Sequence, residues 1–245
     1  MANFRIKRKV LLKKIKPPSE NNNIIRIIFR NWLFQGMALM DLSELCFRFL
    51  VELLSIALVL FLTLNVQCDF NARLIFSTFL VHTIFWTFNG HFWALHIGQK
   101  RLAKNTPSKT CSYLLDLKKR VNSYKPIDGC IIFGSMARNS FHEHSDIDIV
   151  FSAKCNLTSK ALTFTLASLE RAIAFTKRIP VEIYCYDVST FSKEDAKECP
   201  IILKDKNDKW KSKMNNYQHF DHVKAANLAF FKDHLTKNDT TDEKS

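Results

Sequence analysis

Asp146 and Asp148 stand two residues apart in the run Asp146-Ile147-Asp148-Ile149-Val150-Phe151. In a strand, residues i and i+2 face the same way, so both carboxylates point together with Ile147 and Ile149 buried behind them. Two acids held side by side repel each other unless a cation lies between them. Hard oxygen ligands of this kind suit magnesium, which one or two carboxylates commonly hold together with substrate phosphates. Upstream, Ile131-Ile132-Phe133 ends at Gly134-Ser135, followed by Met136-Ala137-Arg138 and a polar turn from Asn139. Gly134 permits a sharp turn and close approach of a ligand. Ser135 is placed to cap a following helix, whose first amides form an anion site that a triphosphate fits. Phosphate-binding amides on one segment and metal ligands on the next are the equipment of phosphoryl or nucleotidyl transfer.

Gly-Ser, a polar spacer, then Asp-hydrophobic-Asp on a strand resembles the signature of the DNA polymerase β-like nucleotidyltransferase superfamily. The form FGSMAR…SDIDIVF looks most like its minimal nucleotidyltransferase branch, over roughly residues 110 to 205. The branch usually has Gly where this chain has Asn139, a residue that tolerates left-handed backbone. The resemblance implies a third carboxylate on a later strand. Glu182 in Val181-Glu182-Ile183-Tyr184 fits, and Asp187 is the weaker choice. It further implies that Asp146, Asp148 and Glu182 are the catalytic and metal-binding set for two Mg2+ ions. Gly134, Ser135 and Arg138 would then bind the phosphates of a nucleoside triphosphate substrate. His142-Glu143-His144 lacks a third ligand nearby and reads as a solvated loop.

Around these residues the pattern alternates strand and helix. Ile127 to Phe133 reads as the first strand, and Pro180 to Tyr186 as a later one. Lys109 to Tyr124 reads as a helix resting on Leu114, Leu115, Leu117 and Val121. Ser159 to Lys177 reads as another, with Leu162, Leu166, Leu169 and Ile173 at helical spacing. Pro200 to Leu203 is a short strand or a loop, and Tyr217 to Leu235 a terminal helix. The expected fold is α+β: a small mixed sheet with helices on one face and the acids at a sheet edge.

The other conspicuous region is apolar. Leu53 to Val66 carries no charge, and extending it back to Cys46 adds Arg48 and Glu52, spaced to pair on one helix face. Leu74 to Ile97 contains no Asp, Glu, Lys or Arg, a length able to span a bilayer. Lysines and arginines crowd both outer flanks, at Arg5 to Lys16 and at Lys100 to Lys125. The excess of basic residues outside the pair puts both ends in the cytoplasm and the link outside. Residues 24 to 45 suit a bilayer surface. The alternative is a helical pair belonging to a cytoplasmic protein. The basic start is not followed by a signal-peptide core and reads as uncleaved.

The expected organisation is therefore a basic segment at 1–23 and a hydrophobic helical hairpin at 24–100. A nucleotidyltransferase domain at 101–205, a linker and helix at 206–235 and a disordered tail at 236–245 follow. A chain of 245 residues with net charge +13 leaves no room for separate template-gripping domains, and the charge flanking the hairpin suits lipid headgroups. Nucleic acid is thus disfavoured as a partner. Seven cysteines without C-x-x-C spacing point to a reducing compartment. The expected activity is transfer of a nucleoside monophosphate to a hydroxyl of a small molecule or membrane-linked precursor. Two readings compete with it: AMP transfer to a protein, as in toxin–antitoxin systems, and non-catalytic nucleotide binding.

Overall fold

The computed structural model describes residues 29, 32–34, 40, 42–88, 105–154, 156–186, 188, 199–214 and 216–220. The basic start, residues 89–104, Asp187 and residues 221–245 lie outside them, and with them most of the expected terminal helix and the tail. The chain divides into two compact units, Met1–Gln99 and Lys100–Ser245.

In the first unit, α1 (Leu42–Leu62) and α2 (Phe70–Phe88) pack against each other. Asp69 opens α2 by accepting from the amides of Asn71 and Ala72, the usual way a carboxylate satisfies orphan donors at a helix start. Arg73 closes the link by donating to the carbonyls of Thr63 and Leu64. Arg48 and Glu52 do not pair, contrary to the spacing argument. Arg48 donates to Glu44 at 2.6 Å, and Glu52 meets Nδ1 of His82 on α2 at 2.6 Å. Glu44 lies one turn N-terminal to Arg48, the favoured order for such a pair, and Glu52 finds its partner on the neighbouring helix. Trp32 completes the contact. Its carbonyl accepts from Nε2 of His82, and its indole donates to Thr83.

The polar groups turn inward while many apolar ones face out. Leu53, Leu54, Leu58, Phe61, Ile75 and Phe76 are exposed. Among the described residues, α1 is the one helix long and apolar enough to cross a membrane. The second expected span reaches only Phe88 within the described residues.

The second unit is α+β. Helix α3 (Pro107–Ser123) leads into β1 (Ile127–Phe133), then a single turn α4 (Gly134–Ala137), β2 (Ile147–Ala153) and α5 (Leu157–Thr176). Strands β3 (Val181–Cys185), β4 (Ile201–Asp205) and β5 (Gln218–His219) follow. The sheet order is β3-β2-β1-β4-β5. Strands β1 and β2 pair antiparallel, as do β1 and β4, while β2–β3 and β4–β5 are parallel. Ile201 to Leu203 therefore belongs to a strand beside β1. Gln218 and His219 are strand residues, so a helix does not begin at Tyr217.

Alternation divides the sheet into two faces. Ile147, Ile149 and Phe151 are fully buried. Val150 joins Ile131, Val188, Ile202, Trp210 and Met214 on the opposite side, in a cluster to which neither α3 nor α5 contributes. The two helices cover the first face. Glu170 of α5 is wholly buried, accepting two bonds from Arg120 at 2.6 and 2.8 Å and one from Tyr124 at 2.9 Å. Lys204 of β4 donates to the carbonyls of Val121 and Tyr124 at the end of α3.

Two helix faces differ from expectation. On α5 the buried positions are Ser159, Thr163, Phe164, Ala167, Glu170, Arg171 and Ala174, while Leu162 and Leu169 are about half exposed. Small residues let α5 approach the sheet closely, and Arg171 then reaches the carbonyl of Ile183. On α3, Leu114, Leu117 and Val121 are buried but Leu115 is exposed.

Candidate active site

The turn after β1 is built around Gly134, whose φ is +73°. A Cβ there would lie 1.9 Å from Oδ2 of Asp148, so the glycine is required twice, by backbone conformation and by the carboxylate pressed against it. Gly134→Ala is expected to cost about 1–3 kcal/mol of stability through strain and steric conflict, measured as a fall in the denaturant midpoint. An unchanged midpoint would show that the turn relaxes freely.

Ser135 does not cap this turn. The helix begins at Gly134 with Phe133 as N-cap, which places Ser135 inside the turn. Its hydroxyl is buried with no protein partner, while its carbonyl accepts from Ser140. A buried hydroxyl without a partner is costly, and a ligand oxygen at this position would satisfy it. Asn139 adopts φ 58°, the left-handed geometry that the turn needs and that Asn accepts.

Asp146 lies immediately before β2 and Asp148 within it. Two anchors set their position. The amide of Ile147 donates to the carbonyl of Pro180 at 2.9 Å, and Asn105 donates to the carbonyl of Ser145 at 2.6 Å. Asp148 stands opposite Phe133 on β1 and opposite Glu182 on β3. Parallel pairing in that register puts Asp148 and Glu182 on the same face of adjacent strands. One oxygen from each of Asp146, Asp148 and Glu182 lies within 4.8 Å of the others, and all three residues are partly buried.

The electrostatics record the crowding. Burial raises the carboxyl pKa of Asp146, opposed by its own backbone amide, by Arg138 and by His142. Burial, and after it the charge of Asp146, pushes Glu182 up to about 6 against the opposing pull of Tyr184 and Arg171. Tyr184 donates its phenolic hydrogen to Oε2 of Glu182. Burial, then the charge of Glu182, keeps that phenol protonated. An all-oxygen set in which the acids oppose one another's ionisation fits a hard divalent cation.

The structure thus brings together Gly134, Asp146, Asp148 and Glu182, with Ser135 in the adjoining turn and Arg138 near enough for its charge to act on Asp146. In the preceding loop His142 and His144 touch each other, and His144 meets Glu143 at 3.2 Å. Among the described residues the three acids are the group that could hold a metal. Tyr184 went unnoticed in the sequence, although its place two residues after Glu182 on one strand already put both on one face.

No curated protein matches this chain closely enough to count as a relative. The family model for polymerase β and nucleotidyltransferases matches residues 116–209, a span that contains the glycine turn and all three acids. Residues 116–209 thus match a polymerase β-like nucleotidyltransferase domain, which supports a nucleotidyltransferase.

Proposed function

We propose that the enzyme transfers a nucleoside monophosphate from a nucleoside triphosphate to a hydroxyl of a small molecule or membrane-linked precursor. The convergence of Asp146, Asp148 and Glu182 inside the matched domain carries this reading. The three acids would hold two Mg2+ ions. Bound there, magnesium supplies Lewis-acid stabilisation of phosphate charge and makes the acceptor hydroxyl more acidic. The Ser135 hydroxyl, buried without a protein partner, donates to a β- or γ-phosphate oxygen. Gly134 leaves the room that the Asp148 carboxylate occupies against the turn. Arg138, exposed at the end of the turn, neutralises phosphate charge. Glu182, ionised at neutral pH, accepts the proton of the attacking hydroxyl. The acceptor oxygen bonds to the α-phosphorus, the bond to the α–β bridging oxygen breaks, and pyrophosphate departs.

Membrane attachment is part of the same proposal. Helix α1 is 21 residues long with a mean hydropathy of 2.4, and none of its most apolar stretch is buried within the protein. At 1.5 Å per residue it spans about 30 Å, the thickness of a bilayer core. With α2 as the returning limb of a hairpin, the basic residues on the outer flanks favour the cytoplasmic side for the catalytic domain, where nucleoside triphosphates are found.

The test is to incubate detergent-purified full-length protein with each α-labelled nucleoside triphosphate, magnesium and a cell extract. Label is expected in a small-molecule or lipid fraction and absent with EDTA. Label confined to a protein band would identify a protein-modifying enzyme. No magnesium-dependent label in any fraction would support nucleotide binding without catalysis.

A further inference from the structure

We propose that Tyr184 is a positioning residue, holding Glu182 in the orientation that completes the acidic site. The inference rests on the metal-site reading above and adds a member to it.

The need for such a residue follows from Glu182 itself. Glutamate has one more methylene than aspartate and one more torsion to fix, so ordering its carboxylate costs more rotamer entropy. Among the described residues Glu182 also lies on an edge strand, β3, of the sheet. Yet its carboxylate lies with those of Asp146 and Asp148, although Asp146 raises the cost of its ionisation. An attractive contact must hold it there against that repulsion. The phenol of Tyr184 makes one, donating to Oε2, and leaves the remaining lone pairs of the carboxylate for a cation.

Tyr184 is suited to the task because its own ring is fixed. It stands opposite Val150 in the β2–β3 register and packs against the cluster of Ile131, Val150, Val188 and Trp210. It stacks on Tyr186 with ring centroids 6.0 Å apart and planes 14° from parallel. The amide of Tyr186 in turn donates to the carbonyl of Phe151. The hydroxyl is therefore presented from a packed wall, and Tyr184→Phe removes it while leaving the ring in place.

The experiment measures Mn2+ binding to the full-length chain in detergent, from the spectroscopic signal of free Mn2+, with thermal unfolding in EDTA alongside. Tyr184→Phe is expected to weaken Mn2+ binding by about ten- to hundredfold, the usual effect of removing an outer-shell partner. Its unfolding midpoint in EDTA should stay close to that of the parent. In a Glu182→Asp background the shorter acid cannot reach the phenol, so Tyr184→Phe should add no further loss. Equal Mn2+ affinity in the parent and Tyr184→Phe would overturn the inference. A further loss on top of Glu182→Asp would overturn it as well, by assigning the effect to packing. If the parent binds no Mn2+, or Asp148→Asn binds it as tightly as the parent does, the metal-site reading fails and the inference fails with it.

Discussion

Asp148→Asn is expected to lower the rate of nucleotide transfer by at least about a thousandfold, with the fold retained. Asp148 sits at the centre of the site. It stands in register with Phe133 on one side and Glu182 on the other, and its carboxylate presses against the Gly134 turn. Asparagine keeps the shape, so β2 and the turn have no steric reason to move. What it removes is one negative charge and one anionic ligand oxygen, from a site where low solvent access makes both count heavily. Circular dichroism and the unfolding midpoint in EDTA should match those of the parent or show a more stable protein, because one of three mutually repelling acids is gone. Transfer within about threefold of the parent rate would remove Asp148 from the catalytic machinery.

Glu182→Gln is expected to make the metal-free protein more stable at neutral pH while abolishing activity. In the folded state Glu182 is raised from an ordinary 4.5 to about 6. A group raised on folding favours the native state fully below its unfolded pKa, and that contribution is lost as pH rises through the folded one. The parent should therefore lose stability relative to Glu182→Gln between about pH 4.5 and pH 6, and the gap should then stay constant. A shift of 1.5 units corresponds to about 2 kcal/mol, and partial exposure of the carboxyl reduces this to about 1–2 kcal/mol. Asp146 is also raised, by burial, so it acts in the same direction and is present in both proteins. Denaturant unfolding in EDTA at pH 4.5, 6 and 7.5 measures the gap. Magnesium should stabilise the parent at pH 7.5 and have little effect at pH 4.5, where protons occupy the carboxylate. A gap independent of pH would show that Glu182 ionises like an ordinary surface acid. The combination of higher stability and lost activity is the mark of a site whose charges serve a ligand rather than the fold.

Much of this site is legible locally. Strand β1 ends where the apolar run Ile127 to Phe133 ends, because Gly134 breaks it. The i, i+2 spacing of Asp146 and Asp148 carries their shared direction, while Glu182 follows from the family resemblance, which implies a third acid on a later strand. What stays hidden depends on partners distant in the chain. Trp210 sits in a stretch of lysines and aspartates, yet it is fully buried and donates to Ser152. The space it occupies exists because residue 129 is glycine: a Cβ there would lie 2.1 Å from its indole nitrogen. Leu162 and Leu169 look like a core stripe by spacing, but Thr163, Ala167 and Ala174 face the sheet because small residues permit the closer approach. Arg48 and Glu52 sit at pairing distance on one helix, but a better placed glutamate and a histidine on the next helix claim them. β-Pairing poses the same difficulty: β4 and β5 are short, and the strands beside them decide their state.

The most direct test of the proposed metal centre is a crystal of the catalytic protein grown with Mn2+ and a non-hydrolysable nucleoside triphosphate, examined for anomalous scattering. Manganese should appear among Asp146, Asp148 and Glu182, with the triphosphate tail against Gly134 and Ser135. Manganese bound elsewhere, or a nucleotide held at a site remote from these three carboxylates, would contradict the account.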